Sequence, residues 1–394
     1  MNYTEICHDS LMYIAIAILC AACIAFTMTP LARVLAYKIG AVDVPKDKRR
    51  MHRVAMPLLG GLAIFTAFII TTVAFCDLSQ NTMQILGLLA GSAIIVITGI
   101  FDDKISLNAL LKLFLQIVAA CVVAFCGVRI EYIGGLIELG NLSIPATVFW
   151  IVAVTNAVNL IDGLDGLSCG VSAISALSIL ISSLFIPETP YFAILLTAIL
   201  AGSCIGFLPY NFNPAKIFMG DTGAMFLGFS LSVISILGVF KTNAIISFWV
   251  PFIAFALPLV DTTFAFARRI LQGKSPFSAD RGHIHHRLID MGFNQRQSVT
   301  ILYAISAICG IAAVLWAIGR PWGGMIIIVS ALVILFINWR FITKSDETRQ
   351  ETGLGLSHLP SETGVHDENV TNTRADVASS QSEEMQKEQA DKAE

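Results

Sequence analysis

The sequence is short of charge. Only 13% of its 394 residues are Asp, Glu, Lys or Arg, against 56% hydrophobic, and the mean hydropathy is +0.75. Ordinary soluble domains carry about 25% charged residues, so a water-soluble globule is excluded. The 25 basic and 28 acidic residues nearly cancel, which leaves no strong field for nucleic acid, and no such partner is expected. Clusters of cysteine with histidine are missing as well. The nine cysteines are scattered mostly through apolar runs, without histidines at ligand spacing. They read as small buried residues rather than disulfides or zinc ligands. The first apolar run has no basic n-region and no clear cleavage site, so no removable signal peptide is expected.

What the chain has is apolar length. Runs able to cross a bilayer fall near 11–36, 57–76, 83–101, 111–126, 145–161, 168–186, 190–208, 223–240, 245–263, 298–317 and 322–342. The expected fold is therefore an all-α polytopic membrane protein of about eleven helices, over residues 1–343. Residues 344–394 are rich in Glu, Ser, Thr, Gln and Asp with almost no aromatics, and read as a polar, disordered tail. The connections sort into two sets by charge. One set holds 37–56, 102–110, 162–167, 209–222, 264–297 and the tail, with Lys38, Lys46, Lys48, Arg49, Arg50, Arg53, Lys104, Lys216, Arg268, Arg269, Lys274, Arg281, Arg287 and Arg296. The other carries only Arg129, Lys241 and Arg320. Basic residues in short loops mark the cytoplasmic side, so the first set is expected inside and the N-terminus outside. In the outer loop 127–144, Gly134-Gly135 within an Ile/Leu alternation suggests a short hairpin.

Every cluster with chemical character falls in the inner set. The central one is Asn156-Ala-Val-Asn-Leu-Ile-Asp-Gly-Leu-Asp-Gly-Leu167. Its polar side chains Asn156, Asn159, Asp162 and Asp165 recur every third residue, which on a helix keeps neighbours close and would put Asp162 and Asp165 on one face. Helix capping by Asn and Asp is the structural alternative, but one cap would not need two Asp-Gly units. Asp102-Asp103 ends the third run, followed by Lys104 and, in the fourth, Lys112 and Gln116. Adjacent carboxylates repel unless lysines or a divalent cation neutralise them, and all-oxygen ligation with retained water suits Mg²⁺. Asp221 lies between glycines before the eighth run, where capping and metal binding compete. Asn211 and Asn213 are turn formers or substrate contacts. Three histidines, His283, His285 and His286, sit between Arg281 and Arg287, a combination suited to a nucleotide diphosphate. Lys46 is a weaker phosphate contact, Gly60-Gly61 permits close packing, and Asp261 is an intramembrane acid of second rank.

Asp102-Asp103, Asn159-x-x-Asp162-Gly-x-Asp165-Gly, Phe218-Met-Gly-Asp221-x-Gly223 and His283-x-His285-His286 together resemble the polyprenyl-phosphate N-acetylhexosamine-1-phosphate transferases, glycosyltransferase family 4. The resemblance covers nearly all of residues 11–342. It implies transfer of a sugar-1-phosphate from a UDP-N-acetylhexosamine to undecaprenyl phosphate in the bacterial cell membrane, with release of UMP. Such a step opens synthesis of a cell-envelope polysaccharide or teichoic acid. Ile284 interrupts the histidines, which resembles the branch using UDP-N-acetylglucosamine rather than the one using UDP-MurNAc-pentapeptide. The resemblance further implies Mg²⁺, with Mn²⁺ as a substitute, held by Asp221 with Asp102. Asp102 or Asp103 would deprotonate or orient the lipid phosphate. Asp162 and Asp165 would complete the catalytic acids and face the nucleotide sugar with Asn156, Asn159, Asn211, Arg281, His283, His285 and His286. Lys46 and Lys112 would meet phosphates. Membrane lipid is a partner throughout, and a homodimer is compatible with the reading.

Three other classes use acids in membranes. An ion-coupled transporter favours midplane acids and internal repeats, whereas these acids sit at the ends of runs. An intramembrane aspartyl protease leaves the histidines and lysines without work. The CDP-alcohol phosphotransferases need Asp-Gly-x-x-Ala-Arg, but Asp162-Gly is followed by Leu-Asp.

Overall fold

The computed structural model describes residues 8–44, 55–77, 79, 81–134, 136–186, 189–240, 245–273, 282–320, 322–325 and 329. Most of the last expected run, the tail, Lys46 and Arg281 fall outside these residues. Twelve helices make up the described architecture: α1 His8–Ile39, α2 Gly60–Phe75, α3 Thr82–Ile105, α4 Ala109–Phe125, α5 Ser143–Leu160, α6 Leu167–Phe185, α7 Tyr191–Asn211, α8 Gly220–Ser235, α9 Ile245–Ala254, α10 Ala256–Leu271, α11 Ile284–Asp290 and α12 Gln295–Ala317. Seven are long and apolar enough to cross a membrane, α9 and α10 form one bent pair, and α2 and α4 are shorter apolar helices. The chain is a polytopic all-α membrane protein, with ten of the eleven expected runs helical among the described residues.

Small residues bring the helices together, as they do where lipid removes the hydrophobic drive between them. On α1 the fully buried Ala17, Ala21 and Ala25 recur every fourth residue. Facing them, Gly202 and Gly206 of α7 abut the backbone of Ile18 and Ala22, with no space for a Cβ. Helix α8 is buried from Thr222 onward, packed against α2, α3, α5 and α6. Gly61 of α2 and Gly99 of α3 lie directly on the backbone of Thr222 and Gly223, so the first turn of α8 is gripped from two sides. Two antiparallel ribbons complete the fold. Strand β1 (Val42–Asp43) pairs with β2 (Met56–Pro57), and β3 (Tyr132–Ile133) with β4 (Ile137–Glu138); the second is the hairpin expected in 127–144.

Two expectations need correction. The run 245–263 is not one straight helix: α9 and α10 meet at 75°. Pro258 has no N–H for the carbonyl of Ala254, and that carbonyl accepts instead from the Ser175 hydroxyl of α6 at 2.8 Å. The cysteines are indeed unpaired among the described residues, but only Cys76, Cys169, Cys204 and Cys309 are buried, and Cys23 is exposed on α1.

Candidate active site

The ends of the helices that carry the motifs surround one cleft of about 660 Å³. Asp221 reaches it because residues 217–219 dock on the second strand of the first ribbon. Phe218 N–H donates to the Pro57 carbonyl at 2.9 Å, and the Gly60 and Gly61 N–H groups donate to Phe218 and Met219 at 3.0 and 2.9 Å. Glycine 220 then turns with φ +70°, a left-handed conformation that costs glycine little. Helix α8 starts there, with Asp221 in its first turn.

Asp103 fixes that start from α3. Its Oδ1 accepts from Asp221 N–H at 2.8 Å, and its Oδ2 accepts from Thr222 N–H at 3.1 Å and the Thr222 hydroxyl at 2.6 Å. Helix α8 has no side-chain cap of its own, and Asp103 supplies one from a neighbouring helix. Asp102 is buried beside it. Its Oδ1 accepts from Leu107 N–H at 2.7 Å, and its Oδ2 meets Lys112 Nζ at 2.7 Å. The same ammonium meets Asp221 Oδ2 at 2.9 Å. Two carboxylates from helices distant in sequence therefore share one cation, held by charge-assisted bonds.

Asp162 and Asp165 are not on a helix, contrary to the expected shared face. Helix α5 stops at Leu160, and Gly166, at φ +79°, turns the chain into α6. The intervening turn still presents both acids to the cleft. Asp162 is held well above the usual carboxylate range, first by burial and then by the neighbouring charges of Asp221, Asp103 and Asp165. Asp165 ties the turn to the next loop: its Oδ2 accepts from Asn213 Nδ2 and Ala215 N–H, both at 3.0 Å. Asn213 also donates to Gln295 of α12 at 2.7 Å. Asn211 lines the cleft, while its amide donates to the Ile217 carbonyl at 3.1 Å and steadies the same loop.

The histidines divide. His286 lines the cleft. His285 is buried with its ring against Gly163 and 4.3 Å from that of His286. Burial pushes its pKa down to about 4, with His286 adding to the shift. His283 is buried on the Asp261 carboxylate and does not line the cleft. Asn156 lies deeper in the bundle, where its amide donates to Gln116 at 2.7 Å and to the Val152 carbonyl at 2.8 Å. Asn159 Oδ1 is buried without a hydrogen-bond partner. Such an acceptor is costly unless something fills it. Asp43, Asp290 and Gln295 also line the cleft. None of them belongs to the four motifs, although Asp43 opens the first basic loop and Asp290 ends the helix that begins after His283.

No three acidic, histidine or cysteine side chains among the described residues close around one point as a ready metal cage. The donors that do meet are hard oxygens, those of Asp102 and Asp221, which converge on the Lys112 ammonium. That set fits Mg²⁺, which takes one or two carboxylates and completes its shell with water and substrate phosphates.

The profile of glycosyl transferase family 4 matches residues 85–239, the segment carrying both aspartate pairs and Asp221. Similarity extends over most of the chain. A Bacillus subtilis (strain 168) protein named "Probable undecaprenyl-phosphate N-acetylglucosaminyl 1-phosphate transferase" is 38% identical over 335 residues, covering 84% of this chain and 92% of that one. The chain belongs to this family. Within it, the decaprenyl-phosphate N-acetylglucosaminephosphotransferase of Mycobacterium tuberculosis (strain ATCC 25618 / H37Rv) is 32% identical, covering 82% of this chain and 87% of its own. The undecaprenyl-phosphate alpha-N-acetylglucosaminyl 1-phosphate transferase of Escherichia coli (strain K12) is 31% identical, covering 72% and 79%.

Proposed function

We propose that this member of glycosyl transferase family 4 transfers N-acetylglucosamine-1-phosphate from UDP-N-acetylglucosamine to a polyprenyl phosphate, undecaprenyl phosphate first, and releases UMP. The reading places the cleft on the cytoplasmic face of a bacterial cell membrane. A water-soluble donor arrives there from solution and a lipid acceptor from between the helices. Relatives with these names support donor and acceptor. The observation that carries the chemistry is the meeting of Asp102, Lys112 and Asp221 behind a cleft that also takes Asp103, Asp162 and His286.

In a single displacement, an oxygen of the lipid phosphate forms a bond to the donor's β-phosphorus. The bond from that phosphorus to the oxygen bridging the α-phosphate breaks, and UMP leaves with that oxygen. Such transfers need positioning and charge neutralisation more than covalent help. Mg²⁺ on Asp221 and Asp102 would neutralise charge gathering on the pyrophosphate oxygens. Lys112 holds both carboxylates in register and adds a fixed positive charge. Asp103 orients the first turn of α8, and with it Asp221. Asp162 lines the cleft and is held above the usual carboxylate range, which suits it to take or hold a proton there. His286, which lines the cleft, is suited to hydrogen-bond the donor.

The test uses detergent-purified protein, undecaprenyl phosphate, Mg²⁺ and radiolabelled UDP-N-acetylglucosamine. Label should move into lipid with matching UMP release, depend on Mg²⁺ (or Mn²⁺), and fall by about 10²- to 10³-fold in Asp221→Asn. Transfer only from another UDP-N-acetylhexosamine would correct the sugar. A fully active Asp221→Asn would remove Asp221 from the metal site.

A further inference from the structure

Asp261 is the buried acid that this chemistry leaves without work. It sits on α10 at 4% exposure, one turn past the bend with α9, and lines no part of the cleft. Its Oδ2 lies 2.8 Å from His283 Nδ1, and its Oδ1 accepts from the Ile284 N–H at 2.9 Å. Helix α11 begins at Ile284, and its N-cap residue, His283, gives it no side-chain cap. Asp261 supplies the missing acceptor from α10, as Asp103 does for α8.

The consequence appears one and two residues further on. His283 and His285 stack with ring centres 5.8 Å apart and planes 10° from parallel, and His286 tilts against His285. His285 fills the hollow at Gly163, beside Asp162, and His286 faces the cleft. Leu288 of α11 enters a small core with Leu164, Leu257, Val299 and Leu302. The helix has only seven residues, too few to be stable alone. Its placement therefore depends on these anchors.

We propose that Asp261 is a positioning residue for the donor: by holding His283 and the Ile284 N–H it sets where His285 and His286 stand against the Asp162–Gly163 turn. The donor half of this statement rests on the proposed function, and the anchoring half does not.

Two readouts on the full chain in detergent test the halves separately. Carbethoxylation by diethyl pyrocarbonate, mapped by peptide mass spectrometry, reads burial of each histidine without any substrate. In the unaltered protein His286 should react while His283 and His285 stay protected. In Asp261→Leu that protection should fall by about tenfold or more as the segment opens locally. Asp261→Asn keeps an oxygen for the Ile284 N–H and should retain most of it. In the transfer assay, Asp261→Leu should raise KM for UDP-N-acetylglucosamine by about tenfold while KM for undecaprenyl phosphate holds. The same change made on His286→Ala should cost little more, because the two act through one contact. Protection unchanged in Asp261→Leu would overturn the anchoring. Protection lost with an unchanged donor KM, or losses that multiply with His286→Ala, would overturn the positioning. Should Asp261→Leu not fold, Asp261→Ser, too short to reach both partners, decides by the same readouts. Absence of transfer by the unaltered protein would sink the proposed function, and the modification pattern would still judge the anchor.

Discussion

At Gly163 the space that a Cβ would occupy is already filled by the His285 ring, whose Nε2, Cε1 and Cδ2 lie nearest. The ring has little freedom to yield, since the rings of His283 and His286 both lie against it. Gly163→Ala should therefore push His285 and the first turn of α11 away from Asp162. Forcing one extra methyl into a filled site costs about 1–3 kcal/mol. If that cost falls on the donor-bound state, kcat/KM for UDP-N-acetylglucosamine drops about 5- to 150-fold, which the radiolabel assay measures. Kinetics unchanged from the unaltered protein would mean that this contact does not bear on the donor. Single residues of this kind were only half legible in the sequence. The Asp-Gly repeat announced a site, but nothing local says that its glycine is a socket for a histidine 122 residues later. The same limit applies to the other histidines and to Asn156. Residue type and spacing grouped His283 with His286, yet one is bonded to Asp261 and the other faces the cleft. Asn156 shares its motif with Asn159, yet its amide is engaged by Gln116 inside the bundle.

At the scale of elements, the first turn of α8 is the part that the others position. Gly61 and Gly99 admit its backbone, the docked residues 217–219 deliver it, and Asp103 caps it. Asp103 was expected as a base or an orienting group for the lipid phosphate. Three hydrogen bonds to Asp221 and Thr222 occupy both of its oxygens, and that geometry favours a positioning role. The two roles predict different behaviour. As a cap, Asp103→Ala should lower stability by about 1–3 kcal/mol, read as an earlier thermal transition in detergent. Asp103→Asn, which keeps an acceptor oxygen, should lose less stability and retain measurable transfer. A base would give the opposite pattern: Asp103→Asn stable but inactive. Local sequence showed most helices because long apolar runs and their punctuation are local properties. It missed the break between α9 and α10, where Pro258 allows a bend but the Ser175 hydroxyl that donates to the freed Ala254 carbonyl lies on another helix. It also read the period of three through Asp162 and Asp165 as helical, whereas the chain leaves the helix after Leu160 and turns at Gly166.

At the scale of the whole molecule, the helices carry the motifs to one end. Helix α4 leads from the Asp102–Asp103 end to the β3–β4 hairpin, and α5 leads back to the Asp162 turn. The hairpin and the cleft thus lie at opposite ends of the same pair of helices. Basic residues concentrate in the connections at the cleft end, which is the physical ground for placing that end in the cytoplasm. A cleft on the other face would separate the enzyme from a cytoplasmic nucleotide sugar, so orientation and reaction stand together. Both ends offer an exposed position for a probe: Leu136 at the hairpin, 77% exposed, and Met291 just beyond α11, 45% exposed. With the nine native cysteines replaced and transfer activity retained, Leu136→Cys should react with a membrane-impermeant maleimide in intact spheroplasts. Met291→Cys should react only after the membrane is permeabilised. The reverse labelling would place the cleft outside and remove the cytoplasmic donor from the proposed reaction, whatever the carboxylates can do.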